Sequence, residues 1–543
     1  MFFLNTISVF GQLSAGGVPP GFGLNDQPEA LPSVTIIQPD IKKLIEEDKI
    51  YPSPYRFTTI LPVDISPETV GTWIDLDGGA RIWRVLVKAP GAKGLAAYFD
   101  RFYLPEGGKL FIYNIDRTSL LGAFTEKNNQ PNGLFATSLI PGEQMIIEYI
   151  SPAGSAKKLL LHLNEIDYAY RGVYGQENDN SYAVLTTCEV DVACSEGDGW
   201  RDQIKGVVRI KVKRGLNAFW CSGSLVNNTR NDGTPYILTA NHCAFNSTDP
   251  EISQWIFYFN HESPGCNDGK SPTNEKTLTG AVKKAQSGVQ QTVGSDFFLV
   301  RMNDSVPVSF NSFYNGWNLD NSPSNSGVGI HHPGGGYKKI STYNTQLFST
   351  SWMGNDGETH WGLTWIPTPN GHGVTEGGSS GSPLFDSQGY IIGTLSGGES
   401  QCDSAYLNLA DYYGKMSWSW LSNGLDSTRQ LMPWLDPENT GVTSLSGISS
   451  IHHDTIPPIV RHFKIGPNPF TDFVNIQMQG ASGTKVSLSV RNLLGKEVPL
   501  SNPNYILNAL GTFQLNLSGL ATGIYFIRIE TTGFVYLRKI IKY

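Results

Sequence analysis

Gly377-Gly378-Ser379-Ser380-Gly381-Ser382-Pro383 is the stretch on which the reading of this chain turns. Glycines on both sides of a serine let the backbone turn sharply and approach another molecule closely. A serine held in such a turn presents its hydroxyl beside free backbone N–H groups. Those are the nucleophile and the oxyanion site that acyl transfer needs. Apolar runs flank it, Leu363–Pro367 before and Tyr390–Leu395 after. Taken alone, the stretch reads more readily as a solvated Gly/Ser loop. Its meaning depends on partners elsewhere in the chain.

Two partners stand upstream. Tyr236-Ile-Leu-Thr-Ala-Asn-His-Cys243 ends an apolar strand on His242, a position suited to a general base. Gly294-Ser-Asp-Phe-Phe-Leu-Val300 sets Asp296 at the mouth of a strongly apolar strand. A buried aspartate there accepts from a histidine N–H, fixes its tautomer and stabilises the imidazolium. The order His242, Asp296, Ser380 is the chymotrypsin-type order and differs from the α/β-hydrolase and subtilisin orders. It assigns His and Asp to one half of a domain and Ser to the other, as a two-barrel enzyme requires. Gly378 to Pro383 satisfies a G-x-S-G-x-P pattern, so the nucleophile is Ser380 rather than Ser379 or Ser382. The N–H groups of Gly378 and Ser380 form the oxyanion hole.

Composition bounds the rest. At 543 residues the chain holds about three or four domains of about 150 residues. Charged residues are 16%, and Gly 59 with Pro 32 favour short strands and many turns. An apolar run long enough for a spanning helix is absent, which argues against an integral membrane protein. The net charge of -8 is mild and there is no basic block, so nucleic acid is not expected. The six cysteines, Cys188, Cys194, Cys221, Cys243, Cys266 and Cys402, all lie mid-chain with no C-x-x-C pair. That speaks for three disulfides formed in an oxidising compartment and against zinc.

The chain divides into five segments. Residues 1–11, apolar with a small residue at the end, read as the back half of a secretory signal whose charged part lies upstream. Residues 12–182 are a propeptide, mostly β, opening with a Pro/Gly-rich extended arm to residue 55. A β-sandwich follows in Arg81–Lys88, Lys109–Tyr113 and Glu143–Ile150. Residues 183–437 form the Cys-bearing domain, with short strands including Lys415–Leu421 and a helix near Leu425–Leu435. Residues 438–463 are a linker. Residues 464–543 form a further small β-sandwich of about seven strands.

Residues 183–437 resemble the lysyl endopeptidase group of chymotrypsin-fold serine proteases. The resemblance is carried by Cys188-Glu-Val-Asp-Val-Ala-Cys194, Gly223-Ser-Leu-Val-Asn-Asn228, Leu238-Thr-Ala-Asn-His-Cys243, Ile330-His-His-Pro333, Gly373-Val-Thr-Glu376, Gly378–Pro383 and Trp434-Leu-Asp-Pro437. It implies an all-β, two-barrel trypsin/chymotrypsin-like domain that cleaves protein or peptide substrates after lysine, and also arginine if the pocket is less strict. It implies the bridges Cys188–Cys402, Cys194–Cys266 and Cys221–Cys243. It implies Asp411 as the anion for the substrate cation, since Asp411 aligns without gaps from Ser380; Asp403 is the nearer rival. It implies a shielding tryptophan, Trp352, with Trp361 and Trp365 as rivals. The histidine on which the family stacks that tryptophan is Ser396 here, which removes the partner. Gly397 and Gly398 keep a backbone edge for antiparallel pairing with substrate. No metal or cofactor is implied.

Vertebrate-type trypsins carry an acid before the nucleophile that pairs with a newly cut N-terminus. Ser379 stands there, so that switch is unavailable. The mature start is expected near Ala183, with no lysine before it. Lys464-Ile-Gly-Pro-Asn-Pro-Phe470, Leu520-Ala-Thr-Gly-Ile-Tyr525 and Arg538-Lys539 resemble the C-terminal sorting domain of type IX secretion substrates. That resemblance implies the type IX machinery as a partner and a secreted or surface location; a monomer is expected. The alternatives are an arginine- or mixed-specificity protease and, further off, a non-catalytic adhesin on a protease scaffold.

Overall fold

The structure, a computed structural model, describes residues 8–10, 13–24, 28–51, 53–154, 157–172, 188–288, 294–354, 357–450, 463–478, 485–492, 496–500, 502–506, 512–531 and 535–543. It forms two compact units, Met1–Ser450 and Ile451–Tyr543.

The first unit begins with a β-sandwich. In one sheet Gln144–Ser151 lies between Arg81–Lys88 and Lys109–Asn114, antiparallel to both. Ser8–Phe10 adds a parallel strand beside Ser119–Phe124; the rest of the expected signal segment lies outside the described residues. The other sheet carries Gly94–Tyr103, Leu160–Ala169 and Tyr55–Ile65 in that order. Alternating apolar residues such as Val85, Val87, Phe99, Ile147 and Ile166 fill the space between the sheets. The arm expected over 12–55 instead contains a helix, Ile41–Ile50, whose N-cap Asp40 accepts from Lys43 N at 3.0 Å. Its ten residues hold six charges, and the i, i+3, i+4 face Ile41, Leu44 and Ile45 packs against the sandwich core beside buried Asp48, a short stripe set in an otherwise Pro/Gly-rich stretch.

Two barrel-like sheets follow. The first is built from Val207–Arg214, Asn217–Val226, Tyr236–Ala240, Ile256–Phe259, Lys276–Thr279, Ala281–Gln286 and Phe297–Met302, all paired antiparallel. The second contains Gly327–His331, Lys339–Tyr343, His360–Leu363, Pro383–Asp386, Ile391–Gly398 and Asp411–Lys415. Val226, Leu238, Leu299, Val328, Ile330 and Phe385 belong to a core shared by the two. The strand expected over Lys415–Leu421 ends at Lys415, and Met416–Leu421 is a helix. Met416, Ser419 and Trp420 are its buried residues, an i, i+3, i+4 face that also reads as alternation over so short a run. The helix expected near Leu425–Leu435 is reduced to a 3-10 turn, Ser427–Arg429, and one turn at Met432–Leu435.

The second unit is a small sandwich with eight strands among the described residues. Phe463–Gly466, Phe473–Met478 and Thr512–Asn516 form one sheet, and Lys485–Asn492, Gly523–Thr531 and Val535–Lys542 run through the other. Val474, Ile476, Val490, Ile527 and Ile540 are buried between them.

Candidate active site

The nucleophile loop is held from three sides. Ser222, on strand Asn217–Val226, donates its N–H to Ser380 O (2.8 Å) and its hydroxyl to Gly378 O (2.9 Å). Gly334 N donates to Gly377 O at 2.6 Å. Gly381 lies so close to Thr239 and Ala240 that a Cβ there would come within 2.1 Å of the Thr239 hydroxyl. Gly378 has φ +97° and Gly381 φ +82°, conformations that any other residue reaches at a cost. Among the described residues no backbone carbonyl takes the N–H of Gly378 or Ser380.

Thr239 and Ala240 run directly into His242, so the same packing that seats Gly381 brings the histidine near Ser380. The Cys221–Cys243 bridge fastens that end of the strand to its neighbour. Asp296 accepts from His242 twice, Oδ1 from the backbone N–H (2.9 Å) and Oδ2 from Nδ1 (2.7 Å). Asp296 is fully buried, with φ +54°; aspartate is among the few residues that tolerate this region. His242 Nε2 is buried without a hydrogen-bond partner among the described residues, and no bond joins it to Ser380 Oγ. Such contacts often close only with substrate in place.

Ser379 occupies the position where trypsins carry the acid. Its Oγ accepts from Glu376 N (3.2 Å) and pairs with His331 Nδ1 (2.8 Å). His331 is further tied to Ser341 Oγ, and burial, with help from Lys339, holds its pKa down at about 3. A neutral network therefore braces the loop that trypsins brace with an ion pair.

Asp411 sits at the start of its strand, fully buried. Its Oδ2 accepts from Trp365 Nε1 (2.6 Å), Thr375 Oγ1 (2.7 Å) and Ser400 Oγ (2.7 Å), and its Oδ1 from Ser400 N (3.3 Å). Burial raises its pKa against the pull of those bonds, led by Ser400. Donors thus crowd Oδ2 and leave Oδ1 lightly engaged. Asp403, the rival, is exposed and serves a turn by accepting from Ala405 N. Two further carboxylates border this region. Glu376 and Glu189 bring oxygens within 4.8 Å of one another beside Cys402 Sγ, and the Glu189 oxygens are buried without hydrogen-bond partners among the described residues.

Trp352 stacks on Tyr412 (4.5 Å between ring centres, 28° between planes) and lies against Gly397, where a Cβ would be 3.3 Å from the indole. The partner lost at Ser396 is thus replaced from the adjacent strand. Ser396 turns inward, its hydroxyl bonded to His360 Nε2 (2.9 Å), so its side chain is not offered to a substrate. The rivals serve elsewhere: Trp361 donates to Ile392 O (3.2 Å) and Trp365 to Asp411. Three bridges pin the site's walls, Cys188–Cys402, Cys194–Cys266 and Cys221–Cys243. Ala183 lies outside the described residues. Thr375, Ser400 and Trp365 had no role assigned from the sequence as donors to Asp411. Their only signal was nearness to Ser380 and Cys402, since hydroxyls are too common in loops to stand out.

Comparison with known proteins agrees in kind. Residues 185–414 match the family model described as lysyl endopeptidase, C-terminal domain. Residues 464–543 match the model described as secretion system C-terminal sorting domain. Among solved structures, the protease Anisep from Arthrobacter nicotinovorans is 19% identical, with a TM-score of 0.29 over 40% of this chain and 91% of that one. The thermostable serine protease AL20 from an extremophilic microorganism is 15% identical, with a TM-score of 0.26 over 39% and 91%. The serine endoprotease from Yersinia pestis is 13% identical, with a TM-score of 0.27 over 64% and 97%.

Proposed function

We propose, for a secreted serine endopeptidase that carries a lysyl endopeptidase-type domain at residues 185–414 and a secretion sorting domain at 464–543, cleavage of peptide bonds after lysine by His242, Asp296 and Ser380. His242 takes the Ser380 proton and returns it to the leaving amine. Asp296 holds the ring in the tautomer that leaves Nε2 free to act and stabilises its charged form. Ser380 Oγ attacks the carbonyl, and the N–H groups of Gly378 and Ser380 receive the oxyanion. Asp411 anchors the substrate cation, because a buried cation without a counter-charge is costly. Trp352 and the backbone at Gly397 border the acyl side. No cofactor takes part in this reading.

The observation that carries it is Asp411, a buried carboxylate with four donors and, among the described residues, no cation, tied through Thr375 to the segment that leads into the Ser380 loop. Glu376, the less buried of the two, favours a second reading, in which a further carboxylate beside Asp411 admits arginine as well. Residues 12–182 act as the propeptide, 183–437 as the mature protease domain and 438–463 as a linker. Residues 464–543 engage the type IX machinery, and the mature protease works as a monomer. Cleavage profiling on a peptide library tests the specificity: cuts confined to lysine support the first reading, and comparable cuts after arginine support the second. Ser380→Ala abolishes both; retained activity would overturn the assignment.

A further inference from the structure

The sheet of the N-terminal sandwich does not stop at its own edge. Tyr55–Ile65 pairs antiparallel with strand Asn217–Val226, matching Thr59 to Asn217, Thr58 to Ala218, Arg56 to Phe219 and Tyr55 to Trp220. Ile60 N adds a bond to Leu216 O (2.8 Å). The other edge of Asn217–Val226 is taken along its length by Val207–Arg214. The covered edge therefore leads straight to the nucleophile: after Trp220 come Cys221, bridged to the neighbour of His242, and Ser222, bonded to Ser380 O. In the proposed reading Asp411 and Gly397 lie on the acyl side of Ser380. The leaving-group side then runs the opposite way, past Ser222 toward Trp220.

The chemistry of this seam is specific. Phe57 stacks on Trp220, with ring centres 4.0 Å apart and planes at 10°. Trp220 in turn packs on Gly335, where a Cβ would be 2.2 Å from the indole, and the adjacent Gly334 holds Gly377 O. Lys211 Nζ meets Asp167 Oδ2 at 2.5 Å and Thr137 O at 3.2 Å. Asp167 also accepts from Tyr98 (2.9 Å) and Thr58 (2.8 Å). Lys213 pairs with Glu165. Lys211 and Asp167 are fully buried, and each loses its counter-charge if the two parts separate.

We propose that the N-terminal part is a strand-donating inhibitor. Tyr55–Ile60 occupies the leaving-group side of the cleft, and the edge Asn217–Trp220, with Lys211 and Lys213 gripping Asp167 and Glu165 on the neighbouring strand Leu160–Ala169, retains it after the chain is cut between 172 and 188. An extended polypeptide on the leaving-group side needs the same ladder bonds, so the two exclude each other. The inference rests on Ser380 as the reacting centre.

The test uses the full chain with a site for an unrelated, sequence-specific protease placed within 173–187. In the Ser380→Ala form, the two pieces are expected to co-elute in gel filtration after cutting at micromolar concentration. Phe57→Ala and Asp167→Asn are each expected to weaken their association at least tenfold, and the second keeps the seam readable if the first does not fold. With Ser380 intact, the cut complex is expected to suppress hydrolysis of a peptide extended three residues beyond lysine at least tenfold more than that of a lysyl methyl ester. Asp167→Asn relieves the difference. Pieces that separate on cutting, or equal suppression of ester and peptide, overturn the proposal. Co-elution of the Ser380→Ala pieces supports the docking whatever the activity. An ester left uncut by the separated protease counts against the lysine-directed reading instead.

Discussion

Asp296 grips His242 at two points, Oδ1 to the backbone N–H at 2.9 Å and Oδ2 to Nδ1 at 2.7 Å. One bond orients the ring and the other fixes the chain that carries it. An asparagine cannot accept at both places. Asp296→Asn is therefore expected to lower kcat by about 10⁴-fold with little change in KM. Steady-state hydrolysis of a lysyl anilide checks it; a loss below tenfold would remove Asp296 from the triad.

Asp411 invites a test of charge against shape. Asp411→Asn keeps the volume but sets an amide among the Trp365, Thr375 and Ser400 donors and removes the counter-charge. The expected loss in kcat/KM on lysyl substrates is about 10²-fold or more, while a substrate with an uncharged side chain changes little. Burial raises the carboxyl's pKa, and only the ionised form holds a cation. KM for lysine should thus rise as pH falls through a value above the ordinary carboxylate range of about 3.9. A pH-independent KM down to that range would contradict this.

Glu189 is a buried carboxylate without hydrogen-bond partners among the described residues. Burial, then Glu376, pushes its pKa well up, with Lys339 opposing. A group raised in the folded state contributes stability below its unfolded pKa and loses it as pH rises through the folded value. Glu189→Gln should therefore be more stable than the parent by about 1–3 kcal/mol at high pH, with the gap narrowing toward pH 4. Thermal denaturation at several pH values reads it, and a gap that widens on acidification would be the wrong sign.

His331 and His360 move the other way. Burial, seconded by Lys339 and Lys415 respectively, lowers each to about 3 from 6.5. Each contributes stability that is present above pH 6.5 and lost as pH falls toward 3. The melting temperature of the protease should fall steeply across that window. Ser396→Ala, which takes the partner of His360 Nε2, should cost about 1–2 kcal/mol at pH 7. An unchanged melting temperature would show that bond to be idle.

Much of the site was legible because acyl transfer demands particular residue types in fixed surroundings. A serine between glycines, a histidine ending an apolar strand and an aspartate opening one are local patterns, and each was readable where it stands. Asp411 was readable only by counting from Ser380. Its donors were not, because Trp365 and Thr375 lie ten residues apart on the connection from Leu363 to Pro383 and Ser400 lies on the one from Gly398 to Asp411, and sequence distance does not relate them. The helix at Met416–Leu421 was missed because six residues carry too little periodicity to separate 2 from 3.6.

By itself the sequence determined the all-β composition and singled out Gly377–Pro383, His242 and Asp296 as the candidate site, since those depend on local conformation and on charge that must be buried. Only the tertiary structure decided what covers Asn217–Trp220, what stacks on Trp352 and what braces Ser379. Strand edges, aromatic faces and hydroxyls are generic until packing assigns each a neighbour. Gly377–Pro383 names the chemistry, and the contacts of Ser222, Gly334 and His331 are what hold that loop in shape.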